Sequence, residues 1–140
     1  MGGAEAVVSY HCGTATVSDY VVGGRLRWEV SHGCGDGVEL VCGRGELPAD
    51  LRAAVLAQCG TFGVRFPAGD RVAVMRVLRG RGVPVGELRS VLAQGVTGTE
   101  AEMVLLAGQL AAAGVAVVVS RREDPDLPGV GGSQRRPTPP

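Results

Sequence analysis

The residues best suited to chemistry are two His/Cys pairs near the start of the 140-residue chain, His11-Cys12 and His32-x-Cys34. Imidazole nitrogen and thiolate sulfur are the ligands of tetrahedral zinc sites, and loops that brought the four residues together would complete one. The spacing contains no CxxC pair, so the expected metal is none, with His11, Cys12, His32 and Cys34 as its weak candidates. The same residue types also permit a cysteine nucleophile served by His32 or His11, with Asp36 orienting the imidazole, but no catalytic signature surrounds them. Cys42, in an apolar run, and Cys59, on a helix face, read as small buried apolar residues.

Other catalytic classes find less support. Glu29, Glu39 and Glu46 read as exposed strand or loop residues, and no spacing pairs them for acid/base work. The Gly-rich run GCGDG is followed by a strand pattern, not a helix N-terminus, and suits a hairpin better than a phosphate loop. The chain has no lysine, asparagine or isoleucine, and all 14 basic residues are arginine, a bias that GC-rich coding explains. Schiff-base chemistry and a phosphate-binding P-loop lysine are therefore excluded. No cofactor is expected.

Charge points to a different kind of function. The chain is formally neutral, but between Thr61 and Gln94 six arginines (Arg65, Arg71, Arg76, Arg79, Arg81 and Arg89) face two acids, Asp70 and Glu87. A local basic face can steer an acidic partner even on a neutral molecule. The alternative is that these arginines only solvate helix surfaces. The N-terminal MGGAEAVVSYHCG has neither the positive start nor the apolar core of a signal peptide, and no apolar run approaches a membrane span. The expectation is a cytoplasmic protein with reduced thiols and no membrane or nucleic-acid partner.

The elements that must position these residues follow from periodicity. In RLRWEV, Leu26, Trp28 and Val30 alternate with Arg25, Arg27 and Glu29, as in a strand with one buried face. Gly23-Gly24 joins it to the preceding YVV as a tight hairpin, and Asp36-Gly37 precedes the apolar run Val38 to Cys42. These segments predict a three-stranded antiparallel meander. A helix follows in GELPADLRAAVLAQCG, with Pro48 in its first turn, Leu51, Val55 and Cys59 on one face, and Gly60 as its stop.

Thr61 to Phe66 predicts a short strand with Phe62, Val64 and Phe66 turned one way. Val74, Val77 and Leu78 predict the core face of a helix starting at Asp70 and interrupted by Gly80 and Gly82. A second helix, Val85 to Gln94, presents Leu88, Val91 and Leu92. The capping box Thr97-x-x-Glu100 starts a third, well-buried helix that Gly114 ends, and VAVVV closes the run as a strand. The tail after Ser120 holds five of the eight prolines and little that is apolar, a composition that predicts disorder.

The stretch FGVRFPAGDRVAVMRVLRGRGVPVGELRSVL, together with the helix-to-strand turn from Gln109 to Val119, resembles one family. It is similar to the C-terminal domain of the bacterial large-ribosomal-subunit stalk protein, the module that recruits translation GTPases. The resemblance covers residues 62–121 and implies a docking face on the first two helices. Carried across residue by residue, that face comprises Arg71, Val72, Ala73, Met75, Arg76, Arg79 and Arg89. Arginine supplies planar, multivalent donors for carboxylates, and Val72 with Met75 supplies adaptable apolar contact, although an apolar stripe at helical spacing is more often core.

The chain also departs from the family. Pro84 and Gly86 stand where glycine and lysine are usual, and one residue is missing before Gly82. The link between the second and third helices is short, which predicts loss of the family's middle strand. A β-rich, cysteine-containing segment stands where the stalk protein has dimerising helices and a hinge.

The expectation is an α+β chain: a β-rich segment with one helix over 1–60, a stalk-like α/β sandwich module over 61–120, and a tail over 121–140. Its expected role is non-enzymatic docking of a protein partner, with a translation factor implied by the resemblance. The alternatives are a protease adaptor, because Clp adaptors share the fold, and a small zinc or thiol protein. Oligomeric state is left open.

Overall fold

The computed structural model describes residues 4–10, 13–34 and 37–122. The architecture is α+β, with two antiparallel sheets and four α-helices. The first sheet is a meander of β1 (Ala4–Tyr10), β2 (Gly13–Val22), β3 (Arg25–Cys34) and β4 (Gly37–Arg44) in sequential order. It has one strand more than expected. The signal in β1 is weak because its core-facing apolar positions include Ala6, whose small side chain gives little contrast with Glu5 and Ser9.

Gly23 and Gly24 have φ of 59° and 74°, the left-handed pair that a two-residue hairpin requires. With Val22 set opposite Arg25, alternation turns Ala15, Val17, Asp19, Leu26, Trp28 and Val30 to one face. Helix α1 (Ala49–Cys59) covers that face with Leu51 and Val55. Ala6, Ala15, Val17, Val30, Leu47, Leu51 and Val55 form the first hydrophobic cluster.

The rest of the described chain runs β5 (Thr61–Val64), α2 (Arg71–Gly80), a 3-10 turn (Val85–Glu87), α3 (Leu88–Gln94), β6 (Val96–Gly98), α4 (Glu100–Ala112) and β7 (Val119–Arg122). β5 lies between β6 and β7, antiparallel to both. Val64, Val74, Leu78, Leu88, Met103, Leu106, Leu110 and Val115 form the second cluster, beneath α2, α3 and α4. Helix α4 also packs against β2 and β3, so it belongs to both layers. Among the described residues no helix is long and apolar enough to cross a membrane.

Three expectations are corrected. The link thought too short for a strand carries β6, which pairs with β5 through Gly63 opposite Thr97. The N-cap of α4 is Thr99, not Thr97: its side chain accepts from Glu102 N–H while Glu102 reaches back to the Thr99 N–H. Thr97 is drawn into the ladder with β5, so the overlapping Thr99-x-x-Glu102 box is used. Finally, β7 begins at Val119. Val115 is instead held by a backbone bond to the Leu110 carbonyl and buried at 1% exposure just past the helix stop. The tail predicted to be disordered lies mostly beyond the described residues.

Candidate functional site

Helix α2 sorts its residues by the 3.6-residue period. Val74 and Leu78 are fully buried, whereas Val72, Arg76 and Arg79, spaced by four and three, lie on the opposite, exposed side. Of the docking residues that the stalk resemblance implies, Arg71, Val72, Arg76, Arg79 and Arg89 are exposed. Ala73 and Met75 are half-buried and pack against the second cluster, so they serve the core more than the surface. Val72 is 64% exposed, and Val85, on the turn leading into α3, is 67% exposed. Val85 precedes the stripe of Leu88, Val91 and Leu92, and nothing in its spacing marks it as a surface residue.

None of Arg71, Arg76, Arg79, Arg81 and Arg89 forms an ion pair with a described carboxylate. Arg79 Nη1 donates to the Val83 carbonyl at 2.8 Å, and Arg81 Nη1 donates to Gln109 Oε1 at 2.8 Å. These neutral acceptors orient the side chains while their charge remains available.

His11 and Cys12 lie outside the described residues; His32 sits in β3 opposite Ala15 and Glu39, and Cys34 ends that strand. Among the described residues no group of three His, Cys, Asp or Glu side chains is placed to hold a metal ion. Cys42 is exposed on β4, contrary to the expectation of a buried thiol, because it stands opposite Glu29 on the face of the sheet turned away from α1. Cys59 is half-buried, its thiol donating to the Glu5 carbonyl at 3.2 Å, and burial, then the Asp19 charge, pushes its pKa up. A raised thiol pKa opposes nucleophilic use.

The sequence reading missed a buried polar cluster. Thr99 Oγ1 donates to Asp19 Oδ2 at 2.6 Å, and Arg52 donates through Nε and Nη2 to the two Glu102 oxygens, each at 2.7 Å. Asp19, Thr99 and Glu102 are 1%, 0% and 5% exposed. Burial raises the Asp19 pKa most, the Thr99 hydrogen bond opposes it, and the Glu102 charge raises it further. The bond to Glu102 raises the Arg52 pKa, so the guanidinium stays charged. A side chain at Gly98 would overlap Glu102 Oε1, so the glycine is what admits the carboxylate. Asp19, Thr99 and Glu102 are closed off from solvent while Arg52 reaches the surface, and the cluster joins β2, α1 and α4. Its sequence signal was Asp19 itself, a carboxylate at the inward position after Ala15 and Val17.

On the face of the second sheet turned from the helices lies an open groove of about 380 Å³, lined by Gly63, Arg65, Phe66, Val117, Ser120 and Arg122 among others. The Arg122 stem crosses Gly63, where a Cβ would come within 2.7 Å of its Cδ. The chain matches no known protein family, no curated protein and no solved structure.

Proposed function

We propose that this chain is a non-enzymatic interaction module that docks an acidic protein partner through the arginine-bearing face of α2 and α3. The observation that carries this reading is a run of five exposed guanidinium groups, from Arg71 to Arg89, without a described carboxylate partner, interspersed with exposed Val72 and Val85. Such a surface steers an oppositely charged partner and supplies apolar contact once it arrives. The order β5, α2, α3, β6, α4, β7, with a strand in the middle position, supports the stalk-type reading of the same segment. Within that reading the partner is a translation GTPase.

The test is affinity capture from bacterial cytoplasm with the purified chain as bait. Charge reversal at Arg76→Glu and Arg79→Glu is expected to abolish capture while leaving the circular dichroism spectrum unchanged. Capture that survives in the folded double variant would sink the docking face.

A further inference from the structure

The face of the first sheet turned away from α1 gathers charge of one sign at its Gly23-Gly24 end. Alternation along β3 turns Leu26, Trp28 and Val30 inward, so Arg25, Arg27 and Glu29 point outward. Arg27 stands directly opposite Arg44 of β4. Gly43, beside Arg44, lies against the inward Trp28 ring, which puts Arg44 on the outer face with Arg27. Opposed residues of an antiparallel pair have Cβ atoms about 5 Å apart, and like charges there destabilise the sheet.

No described carboxylate forms an ion pair with Arg25, Arg27 or Arg44. Arg27 Nε is closed to solvent and meets no hydrogen-bond acceptor, the only buried side-chain polar atom so placed among the described residues. Buried donors are nearly always matched, and one that is not points to an acceptor supplied from outside the chain. The adjoining acid, Glu29, is engaged elsewhere: the hydroxyl of Tyr20, the residue opposite Arg27 on β2, donates to Glu29 Oε1 at 3.3 Å. Glu46, just past β4, acts on Arg52 of α1, raising its pKa.

We propose that Arg25, Arg27 and Arg44 form a binding site for a phosphate dianion, free or as a monoester. Three guanidinium groups beside one carboxylate leave two positive charges uncompensated, which a dianion neutralises and a singly charged carboxylate ligand does not. Arginine presents paired N–H donors that match phosphate oxygens, and an anion shared by Arg27 and Arg44 replaces their mutual repulsion with attraction to a common centre. Glu29 follows Arg27 on the side away from Arg25, so its charge confines the anion to the hairpin end of the face. The site shares no residue with the α2 and α3 face, so loss of one leaves the other intact.

Isothermal titration calorimetry of the full chain with inorganic phosphate and with phenyl phosphate tests it, with acetate as the singly charged comparison. Saturable binding of phosphate is expected, with acetate weaker, and binding of phenyl phosphate is expected to fade as pH drops through about 6, where the ester becomes a monoanion. Tighter binding of phenyl phosphate assigns the site to a monoester, and equal or tighter binding of inorganic phosphate assigns it to the free ion. Arg27→Gln and Arg44→Gln are each expected to weaken binding at least about tenfold, whereas Glu29→Gln, by removing the repelling charge, is expected to strengthen it. Arg44 is exposed, so its variant decides the matter even where Arg27→Gln does not fold. Absence of saturable binding of both phosphate compounds, acetate binding as tight as that of phosphate, or unchanged affinity in the folded Arg44→Gln variant overturns the proposal.

Discussion

Thr99 Oγ1 donates a 2.6 Å hydrogen bond to Asp19 Oδ2, joining positions 80 residues apart. The same hydroxyl accepts from the Glu102 N–H, so one small side chain both starts α4 and ties that helix to the first sheet. Around it the hydrophobic clusters remain separate, one under α1 and one under α2, α3 and α4.

Thr99→Val removes the cap and takes from the Asp19 carboxylate its side-chain donor. The expected loss is roughly 2–4 kcal/mol, the sum of a lost N-cap and an unsatisfied buried acceptor. Thr99→Ser keeps both bonds and should stay within about 1 kcal/mol of wild type. Urea unfolding midpoints check this, and equal losses in the two variants would argue against the shared hydroxyl.

Asp19 makes stability depend on pH in a defined direction. Burial raises its folded pKa above the ordinary 3.8, so its contribution is fully present below 3.8 and is lost as pH rises through the raised folded value. Asp19→Asn removes that dependence. The stability of wild type relative to Asp19→Asn is therefore expected to fall from acidic to neutral pH, measured by urea unfolding across that window. A difference that grows with pH contradicts the assignment.

Arg52→Met strips the only described partner charge from Glu102, whose side chain is 7% exposed. Arg52 is itself about one-third exposed, so the expected loss is tempered to roughly 1–3 kcal/mol. Adding Glu102→Leu to Arg52→Met should recover part of it, because an apolar pair leaves no buried charge behind. Thermal unfolding of the three proteins decides the point.

Gly43 is required by the Trp28 ring, which lies where a Cβ at that position would stand. Gly43→Ala should cost about 1–3 kcal/mol through displacement of the ring. Trp28 is the chain's single tryptophan, so a red-shifted emission maximum in the folded variant reports that displacement directly. An unshifted spectrum with unchanged stability would contradict the packing.

How much of this was legible in the sequence varied with how local the determining physics is. Strand alternation in RLRWEV, the Gly23-Gly24 hairpin, the helix ending at Gly60 and the apolar periods of α2 and α3 depend on near neighbours, and they appear where the residues place them. The choice between two overlapping Thr-x-x-Glu boxes does not. Thr97 is claimed by its pairing with Gly63, and Thr99 by an acceptor on β2. The position of β7 within the valine run depends on where β5 ends, and the exposure of Cys42 depends on which face of the first sheet α1 covers. At the proposed docking face, the family resemblance implies Val72 and Met75 alike, and only packing separates exposed Val72 from half-buried Met75.

The most direct test of the docking account is an equilibrium titration of the purified chain with a purified bacterial translation elongation GTPase, at low and at physiological salt. Saturable binding is expected, weakening as salt rises and falling at least about tenfold in the folded Arg76→Glu/Arg79→Glu variant, because charge pairs guide association. Binding of equal affinity in wild type and variant, or no binding at either salt concentration, would contradict it.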